Sequence, residues 1–162
     1  MEKTAFQKGD IIKSFRGLYW HFGVYVGDSK VIHFSSGTSN EMNPLTADII
    51  CSSLEEFTKG DHTIVDFKER SAFTKEEIVS RAKKMLGSQL GSYDPFTNNC
   101  EHFANWCKNG RAVSHQSEVI AKTNTLLGII YETRRKQTER CYNKAEKNPS
   151  IFCLISDILD VE

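Results

Sequence analysis

Short runs of alternating apolar and polar residues dominate the first third of the chain. GDIIKSF begins at residue 9, WHFGVYVG at residue 20 and KVIHFSS at residue 30, and all three are rich in β-branched and aromatic residues. Gly27-Asp28 separates the second run from the third, as a turn would. The pattern predicts an antiparallel meander of strands. HTIVDFKE, from residue 62, predicts a further strand.

Helical spacing replaces this alternation after residue 73. Thr74 and Glu77 have the spacing of a capping box. The apolar positions after them keep a helical period until Gly87, which is a natural stop. A second helix is predicted from Cys100 towards Gly110.

A third helical pattern starts at Ser114 and continues through Ile130 into the basic run RRKQTERCYNKAEK. Residues 36–60 mix turn-forming residues with a short element whose type the pattern does not define. The sequence thus predicts an α+β fold with helices packed against an antiparallel sheet. We place the domain edge near residue 112, so that residues 1–112 form the domain and residues 113–162 a helical, partly basic C-terminal tail.

Composition narrows the function classes. A chain of 162 residues with 39% hydrophobic content can bury one core. Lys+Arg and Asp+Glu are equal at 21 each, so the chain has no net positive charge that would attract nucleic acid. No nucleic-acid partner is therefore expected. The five cysteines include no CxxC pair, which argues against a disulfide scaffold and a structural zinc site. A reducing, cytoplasmic compartment is expected.

We expect no signal peptide, because the N-terminus, MEKTAFQKGD, has no apolar h-region. We expect no transmembrane segment, because the longest apolar runs, LLGIIY and IFCLI, are far too short to span a bilayer. We expect the tail to be peripheral. Its apolar stretch, residues 119–131, cannot cross a membrane, but the basic run after it would attract anionic head groups. The alternative is a solvated or self-packed helix, with residues 151–159 folding back on it, and the sequence leaves open whether the tail docks on a membrane or on the domain.

The stretch TNNCEHFANWC, residues 97–107, places a cysteine where a helix is expected to begin. Thr97, Asn98 and Asn99 are N-cap types, and the apolar positions after Cys100 keep helical spacing. Cys100 thus falls in the first turn, where backbone N–H groups and the helix dipole favour a thiolate. One interpretation is a reactive thiol. The other is a small buried residue that starts a core helix.

A cysteine nucleophile needs a base and a group that orients the base. His21 and His33 lie on the predicted strands that flank the turn at residues 27–29. A two-residue loop would pair Val24 with His33 and send the imidazoles to opposite faces. A three-residue loop, or a bulge, would put Gly23 opposite His33, clear space between the imidazoles and leave both on one face. The non-catalytic interpretation is that His21 lies on a solvent-exposed face of its strand and that His33 is a hydrogen-bonded histidine of the core.

The remaining candidates carry weaker signals. His102 would point roughly 200° away from Cys100 around the helix axis, which suits a surface or capping role better than that of the base. Cys100 and His102 have no second pair at ligand spacing, so no metal is expected. Tyr93 and Arg16 could each donate to a developing oxyanion, or could be packing or surface residues.

The segment GDIIKSFRGLYWHFGVYVGDSKVIHF, together with NCEHF, resembles the lecithin:retinol acyltransferase family and, within it, the H-Ras-like suppressor group of phospholipase A/acyltransferases. The similarity covers roughly residues 8 to 112. It implies a circularly permuted, papain-like (NlpC-type) thiol hydrolase fold in which the histidines precede the cysteine. By this resemblance Cys100 is the nucleophile, His21 the general base and His33 the residue that orients the base. Tyr93 and Arg16 correspond to positions near the site.

The resemblance also implies a reaction. Members of the family remove an acyl chain from a glycerophospholipid through a thioester, and pass it to water, to a lysophospholipid or to the amine of phosphatidylethanolamine, without a metal or other cofactor. Phospholipase members usually end in a long apolar anchor, whereas this chain has the interrupted stretch VIAKTNTLLGIIY. Two other interpretations remain open. TNNCEHFANW also resembles the desumoylating and deubiquitinating isopeptidases, and some relatives keep the fold as a non-catalytic interaction module.

Overall fold

The computed structural model describes residues 6–36, 43, 45–88 and 93–148 of the chain. One antiparallel sheet has the strand order β4-β3-β2-β1-β5. Its strands are β1 (Ile11–Phe15), β2 (Trp20–Gly27), β3 (Lys30–Ser35), β4 (Asp48–Ser53) and β5 (Thr63–Val65). The predicted meander is confirmed as β1 to β3, and the run from residue 62 provides β5. β4 lies in the segment that the pattern left undefined, and it extends the sheet beyond β3.

The turn between β2 and β3 has two residues. Gly27 pairs with Lys30, and Asp28 and Ser29 lie between them. Their φ values of 49° and 53° are positive, as a type I′ turn requires at both central positions. This turn matches the twist of the flanking strands, so the hairpin closes tightly.

A bulge next to the turn resets the pairing of the hairpin. The register shifts by one residue between Tyr25 and Gly27, so that Val24 pairs with Ile32 and not with His33. The turn is therefore the short one of the two alternatives, but the register is that of the longer loop. The prediction that a bulge or an odd loop places both histidines on one face is confirmed.

Among the described residues the helices are α1 (Leu54–Thr58), α2 (Lys75–Lys84), α3 (Cys100–Asn109), α4 (His115–Ala121) and α5 (Thr125–Lys147). The predicted capping box of Thr74 and Glu77 begins α2, and Asn99 is the N-cap of α3. The third helical pattern is not continuous, because Asn124 interrupts it and its side chain caps α5. The α+β architecture, with helices packed against an antiparallel sheet, is confirmed.

Apolar side chains pack on both faces of the sheet, because successive strand residues point to opposite sides. The main cluster joins Phe22 and Phe34 of the sheet with Phe103 and Trp106 of α3. The smaller cluster consists of Ile12, Tyr25, Val31 and Phe57. Phe57 belongs to α1, so this short helix covers the second face of the hairpin.

α5 takes part in the main core. Tyr142 is fully buried, and its ring stacks on Trp106 with 4.9 Å between the centroids. Trp106 Nε1 donates a hydrogen bond of 3.0 Å to Asn143 Oδ1, and Arg81 of α2 forms an ion pair with Glu146. The inner face of α5 therefore packs on the domain, a question that the sequence left open.

The outer face of α5 remains in solvent at its start, where Leu126 is 64% and Ile129 is 59% exposed. No helix in the described ranges is both long enough and apolar enough to cross a membrane. The contacts considered for residues 151–159 lie outside the described residues.

Candidate active site

The two candidate histidines form a buried, hydrogen-bonded pair. Nε2 of His21 lies 2.8 Å from Nδ1 of His33, and the two rings meet edge to face. His21 is 1% and His33 is 3% exposed. Phe57 contacts both imidazoles, with centroid distances of 5.3 Å to His21 and 5.2 Å to His33. The apolar ring of Phe57 thus closes this face of the hairpin over the pair.

Gly23 makes the close approach of these groups possible. A Cβ atom on Gly23 would lie 2.5 Å from Cγ1 of Val31, 2.9 Å from the ring of Phe57 and 3.3 Å from Cβ of His33. Real side chains do not tolerate the first two distances without movement of a neighbour. Gly23 therefore clears space for Val31, Phe57 and His33, whereas the sequence predicted that it clears space between the two imidazoles.

Ser52 of β4 extends the chain of polar groups. Its Oγ atom lies 3.0 Å from Nε2 of His33, the ring nitrogen that does not face His21. If His33 donates from Nε2 to Ser52, its Nδ1 must accept from Nε2–H of His21. That tautomer leaves Nδ1 of His21 as the atom that can take a proton.

Cys100 is the first residue of α3 and is buried at 3% exposure. α3 packs against β2 and β3, the strands that carry the histidines. The Asn99 side chain accepts hydrogen bonds from the backbone N–H groups of Glu101 and His102, which fixes the first turn. Cys100 is not disulfide-bonded, and neither are Cys51 and Cys107.

A hydrogen-bonded link ties the start of α3 to the start of β2. The Gln116 side chain accepts from the backbone N–H of Trp20 at 2.8 Å and donates to its carbonyl oxygen at 3.1 Å. The same amide donates to Oε2 of Glu101 at 3.1 Å. Trp20 precedes His21 and Glu101 follows Cys100, so Gln116 joins the neighbours of the predicted base and the predicted nucleophile.

The carboxylate of Glu101 is almost fully buried and accepts hydrogen bonds from uncharged donors. Ser114 Oγ donates to it at 2.6 Å, and the backbone N–H groups of His115 and Gln116 donate at 3.0 Å and 3.2 Å. These donors lie at the N-terminal end of α4, where a negative charge is favoured. Glu101 therefore fastens α4 to the first turn of α3.

His102 has a capping role and no surface role. Its Nδ1 accepts the backbone N–H of Asn99 at 3.2 Å, which completes a capping box. The capping part of the prediction is confirmed, but the surface alternative is wrong, because the imidazole is fully buried next to Tyr131. Burial, with a smaller contribution from Arg135, lowers the pKa of His102 to about 3.

Tyr93 and Arg16 occupy different surroundings. Tyr93 is buried in the main cluster, with its ring edge-on to Phe34 of β3 at 5.0 Å. The Arg16 guanidinium donates to the carbonyl oxygens of Phe57 and Thr58 at the end of α1. It also forms an ion pair of 3.0 Å with Asp61. Arg16 therefore holds the end of the helix that places Phe57 over the imidazoles.

The fold and the site define an α+β protein in which the two strands that carry a buried histidine pair pack against a helix that starts with a cysteine. A sequence profile of the family described as lecithin retinol acyltransferase matches residues 4–113. The chain therefore belongs to the lecithin retinol acyltransferase family.

Individual relatives agree with this assignment. Lecithin retinol acyltransferase of Bos taurus is 29% identical, over 94% of this chain and 74% of the relative. Lecithin retinol acyltransferase of Homo sapiens is 30% identical over 75% of this chain, and the alignment spans 63% of that relative. Phospholipase A and acyltransferase 2 of Homo sapiens is 31% identical over 73% of this chain and 78% of the relative.

Sequence reasoning missed Ser52, Phe57 and Gln116. Ser53 and Glu56 form a capping box, and this local signal could have identified α1 and with it Phe57. Ser52 and Gln116 carry no such signal, because their contacts depend on the pairing of β4 with β3 and on the packing of α4 against β2.

Proposed function

We propose that the protein is a thiol phospholipase A1/A2 and acyltransferase that cleaves the acyl esters of glycerophospholipids. The observation that carries the proposal is the buried hydrogen bond between His21 and His33, on two strands that pack against the helix that starts with Cys100. The names of the relatives support the class of reaction, since they are called lecithin retinol acyltransferase and phospholipase A and acyltransferase 2. The order of the three residues also supports the circularly permuted papain-like topology that we propose for the fold.

The first half-reaction transfers the acyl group to the enzyme. Nδ1 of His21 takes the thiol proton, and the thiolate of Cys100 attacks the ester carbonyl. The N–H groups of Glu101 and His102 donate to Asn99, so the proposed oxyanion donor is the backbone N–H of Cys100. The tetrahedral intermediate collapses to a thioester as His21 returns the proton to the departing glycerol oxygen.

The second half-reaction regenerates the thiol. His21 accepts a proton from water, from the hydroxyl of a lysophospholipid or from the amine of phosphatidylethanolamine, and the activated acceptor attacks the thioester. The products are a fatty acid, a phospholipid or an N-acyl phosphatidylethanolamine. His33 and Ser52 keep Nδ1 of His21 available in both halves. We propose Tyr93 as a further donor near the oxyanion, and Arg16 as a residue that positions α1.

The mechanism requires the Cys100 thiol to reach Nδ1 of His21. Gln116 supports this requirement, because it ties the residue before His21 to the residue after Cys100. A rigid link between these neighbours limits the movement of β2 relative to α3.

The test is product analysis by mass spectrometry with mixed phosphatidylcholine and phosphatidylethanolamine. We expect lysophospholipid together with free fatty acid or N-acyl phosphatidylethanolamine, and a loss of at least ~100-fold in Cys100→Ser. The matched control is Cys51→Ser, which replaces an exposed thiol and should keep full activity. Undiminished turnover in Cys100→Ser would contradict the proposal. Cleavage of an isopeptide-linked substrate in place of lipid would favour the isopeptidase interpretation.

A further inference from the structure

Exposed apolar side chains are concentrated at the corner between α4 and α5. Of the twelve large hydrophobic side chains that are exposed in the described residues, six lie between residues 119 and 130. We call these six the apolar ridge: Val119, Ile120, Leu126, Leu127, Ile129 and Ile130. Scattered exposed hydrophobic residues are ordinary, but a contiguous group marks a contact surface.

The corner that carries the apolar ridge is well fixed. The Asn124 side chain accepts the backbone N–H groups of Leu126 and Leu127, which caps α5. A Cβ atom on Gly128 would lie 3.3 Å from the carbonyl oxygen of Ala121, so the two helices meet closely there. On the inner side, Tyr131 is 1% exposed, and its hydroxyl accepts the backbone N–H of Ser114. The ridge is thus the outer face of a packed helical corner.

A row of cations continues the outer face of α5 beyond the ridge. Lys136, Arg140 and Lys147 are exposed, and they follow Ile129 at intervals of seven, four and seven residues, which places them on one side of the helix. The acidic residues of α5 face other groups. Glu132 and Glu139 pair with the buried Arg135, and Glu146 pairs with the buried Arg81. The outer face therefore combines an apolar end with a positive stretch.

We propose that this face is a membrane-docking surface, with the apolar ridge inserted among the lipids of an anionic phospholipid surface and the cations of α5 lying on the head groups. An amphipathic helix with these two regions binds in the plane of the interface. α5 has 23 residues, or roughly 34 Å, so its outer face extends along the lipid surface. The proposal rests on the proposed function in one respect, because the docking surface would bring the lipid substrate of that function to the site.

Charge and position favour lipid over a second copy of the chain. Two copies that met through this face would bring their cation rows together, whereas anionic head groups neutralise them. The ridge also begins one helical turn away from a residue that borders the candidate site. Val119 lies three residues after Gln116, which holds the start of β2 beside His21. Docking by the ridge would place the site next to the lipid surface.

The test is co-sedimentation of the full-length protein with vesicles of phosphatidylcholine alone and of phosphatidylcholine mixed with phosphatidylserine. We expect binding to the anionic vesicles that weakens as salt rises. The double variant Leu126→Gln/Ile129→Gln should bind at least ~10-fold more weakly. The triple variant Lys136→Gln/Arg140→Gln/Lys147→Gln should lose about fivefold per charge and much of the salt dependence. Phe67→Gln, which changes an exposed aromatic residue elsewhere, should bind as the unchanged protein does.

Activity measurements separate this proposal from the proposed function. The ridge variants should keep their turnover of dispersed short-chain phosphatidylcholine and lose turnover on vesicles. Absence of any lipid turnover would contradict the proposed function and would leave vesicle binding measurable. Equal vesicle binding by the ridge variants and the unchanged protein would overturn the docking surface. A lipid-free dimer that Leu126→Gln/Ile129→Gln dissociates would also overturn it, because the partner would then be a second copy.

Discussion

The tautomer of the hydrogen-bonded His21–His33 pair decides which nitrogen of the proposed base is available. Ser52 Oγ accepts from Nε2 of His33 in the tautomer that the mechanism needs, and Nδ1 of His33 then accepts from His21. In the proposed mechanism Ser52 is therefore a positioning residue that acts through two imidazoles. Phe57 contacts both imidazoles, and Gly23 leaves the space that Phe57 and His33 occupy because it has no side chain.

We predict that Ser52→Ala lowers kcat by roughly tenfold, because it removes one hydrogen bond of the chain. Ser52→Thr retains the hydroxyl and should restore most of the rate. The measurement is the pH profile of kcat together with KM for dispersed substrate, and KM should change little. Equal rates in Ser52→Ala and the unchanged protein across the pH range would show that the hydroxyl does not orient His33.

At the scale of the structural element, the β2–β3 hairpin acts as a unit that brings the histidines to one face. The bulge between Tyr25 and Gly27 sets the register, and the space at Gly23 lets Val31, Phe57 and His33 approach. Strand pairing and side-chain packing therefore act together at this place.

Gly23→Ala should destabilise the fold by about 1–3 kcal/mol, since its methyl group would collide with Cγ1 of Val31 and the ring of Phe57. We expect a lower midpoint in urea unfolding and a lower kcat. The added change Val31→Ala removes the nearest colliding atom, so the double variant should be more stable than the sum of the single effects predicts. Strict additivity would mean that Gly23 is not a packing requirement.

The cap of α3 predicts a dependence of stability on pH. The pKa of His102 is about 3 in the folded protein, below its ordinary value of 6.5, so the unfolded chain binds the proton more readily. Stability contributed by the neutral imidazole is therefore present above pH 6.5 and is lost as the pH falls. Between pH 7.5 and 5 this loss should amount to about 2 kcal/mol.

His102→Gln keeps a capping side chain and removes the titration. Urea unfolding at the two pH values should show a smaller loss on acidification in this variant than in the unchanged protein. An identical loss in both proteins would contradict a neutral, buried His102.

These elements show what local sequence can and cannot predict. Thr74 caps α2 as predicted, and Asn99, one of three N-cap types before Cys100, caps α3, because such caps act over only three residues. The sequence did not decide the register of the β2–β3 hairpin, because a two-residue and a three-residue loop both fit the same residues. Only side-chain packing selects one of the two registers. β4 was missed because its short run pairs with β3 across a long connection, and the role of Ser52 was missed with it.

At the scale of the whole molecule, residues beyond 112 complete the core that carries the site. Tyr142 stacks on Trp106 of α3, and its hydroxyl donates to Asn98 Oδ1 just before the candidate nucleophile. α4 holds Glu101 and Trp20 through Gln116. The domain edge placed near residue 112 remains a prediction, and a stability measurement addresses it.

Tyr142→Ala should cost about 3–5 kcal/mol, as truncation of a buried aromatic side chain does. Arg134→Ala, on the exposed side of the same helix, is the matched control and should change stability by less than about 0.5 kcal/mol. The measurement is urea unfolding of the full chain. If Tyr142→Ala unfolds at the same midpoint as the control, α5 does not stabilise the domain and residues 1–112 would stand as an independent unit.

The most direct test of the proposed chemistry is the location of the acyl group during turnover. Rapid acid quenching with phosphatidylcholine, followed by peptide mass spectrometry, should show one acyl mass in the peptide that contains Cys100, sensitive to hydroxylamine as a thioester is. The adduct should be absent in Cys100→Ser and unchanged in Cys51→Ser. Two results would contradict the thioester mechanism. One is an acyl group found only at Cys51 or Cys107. The other is steady turnover by the unchanged protein and by Cys51→Ser with no adduct at Cys100 at any quench time.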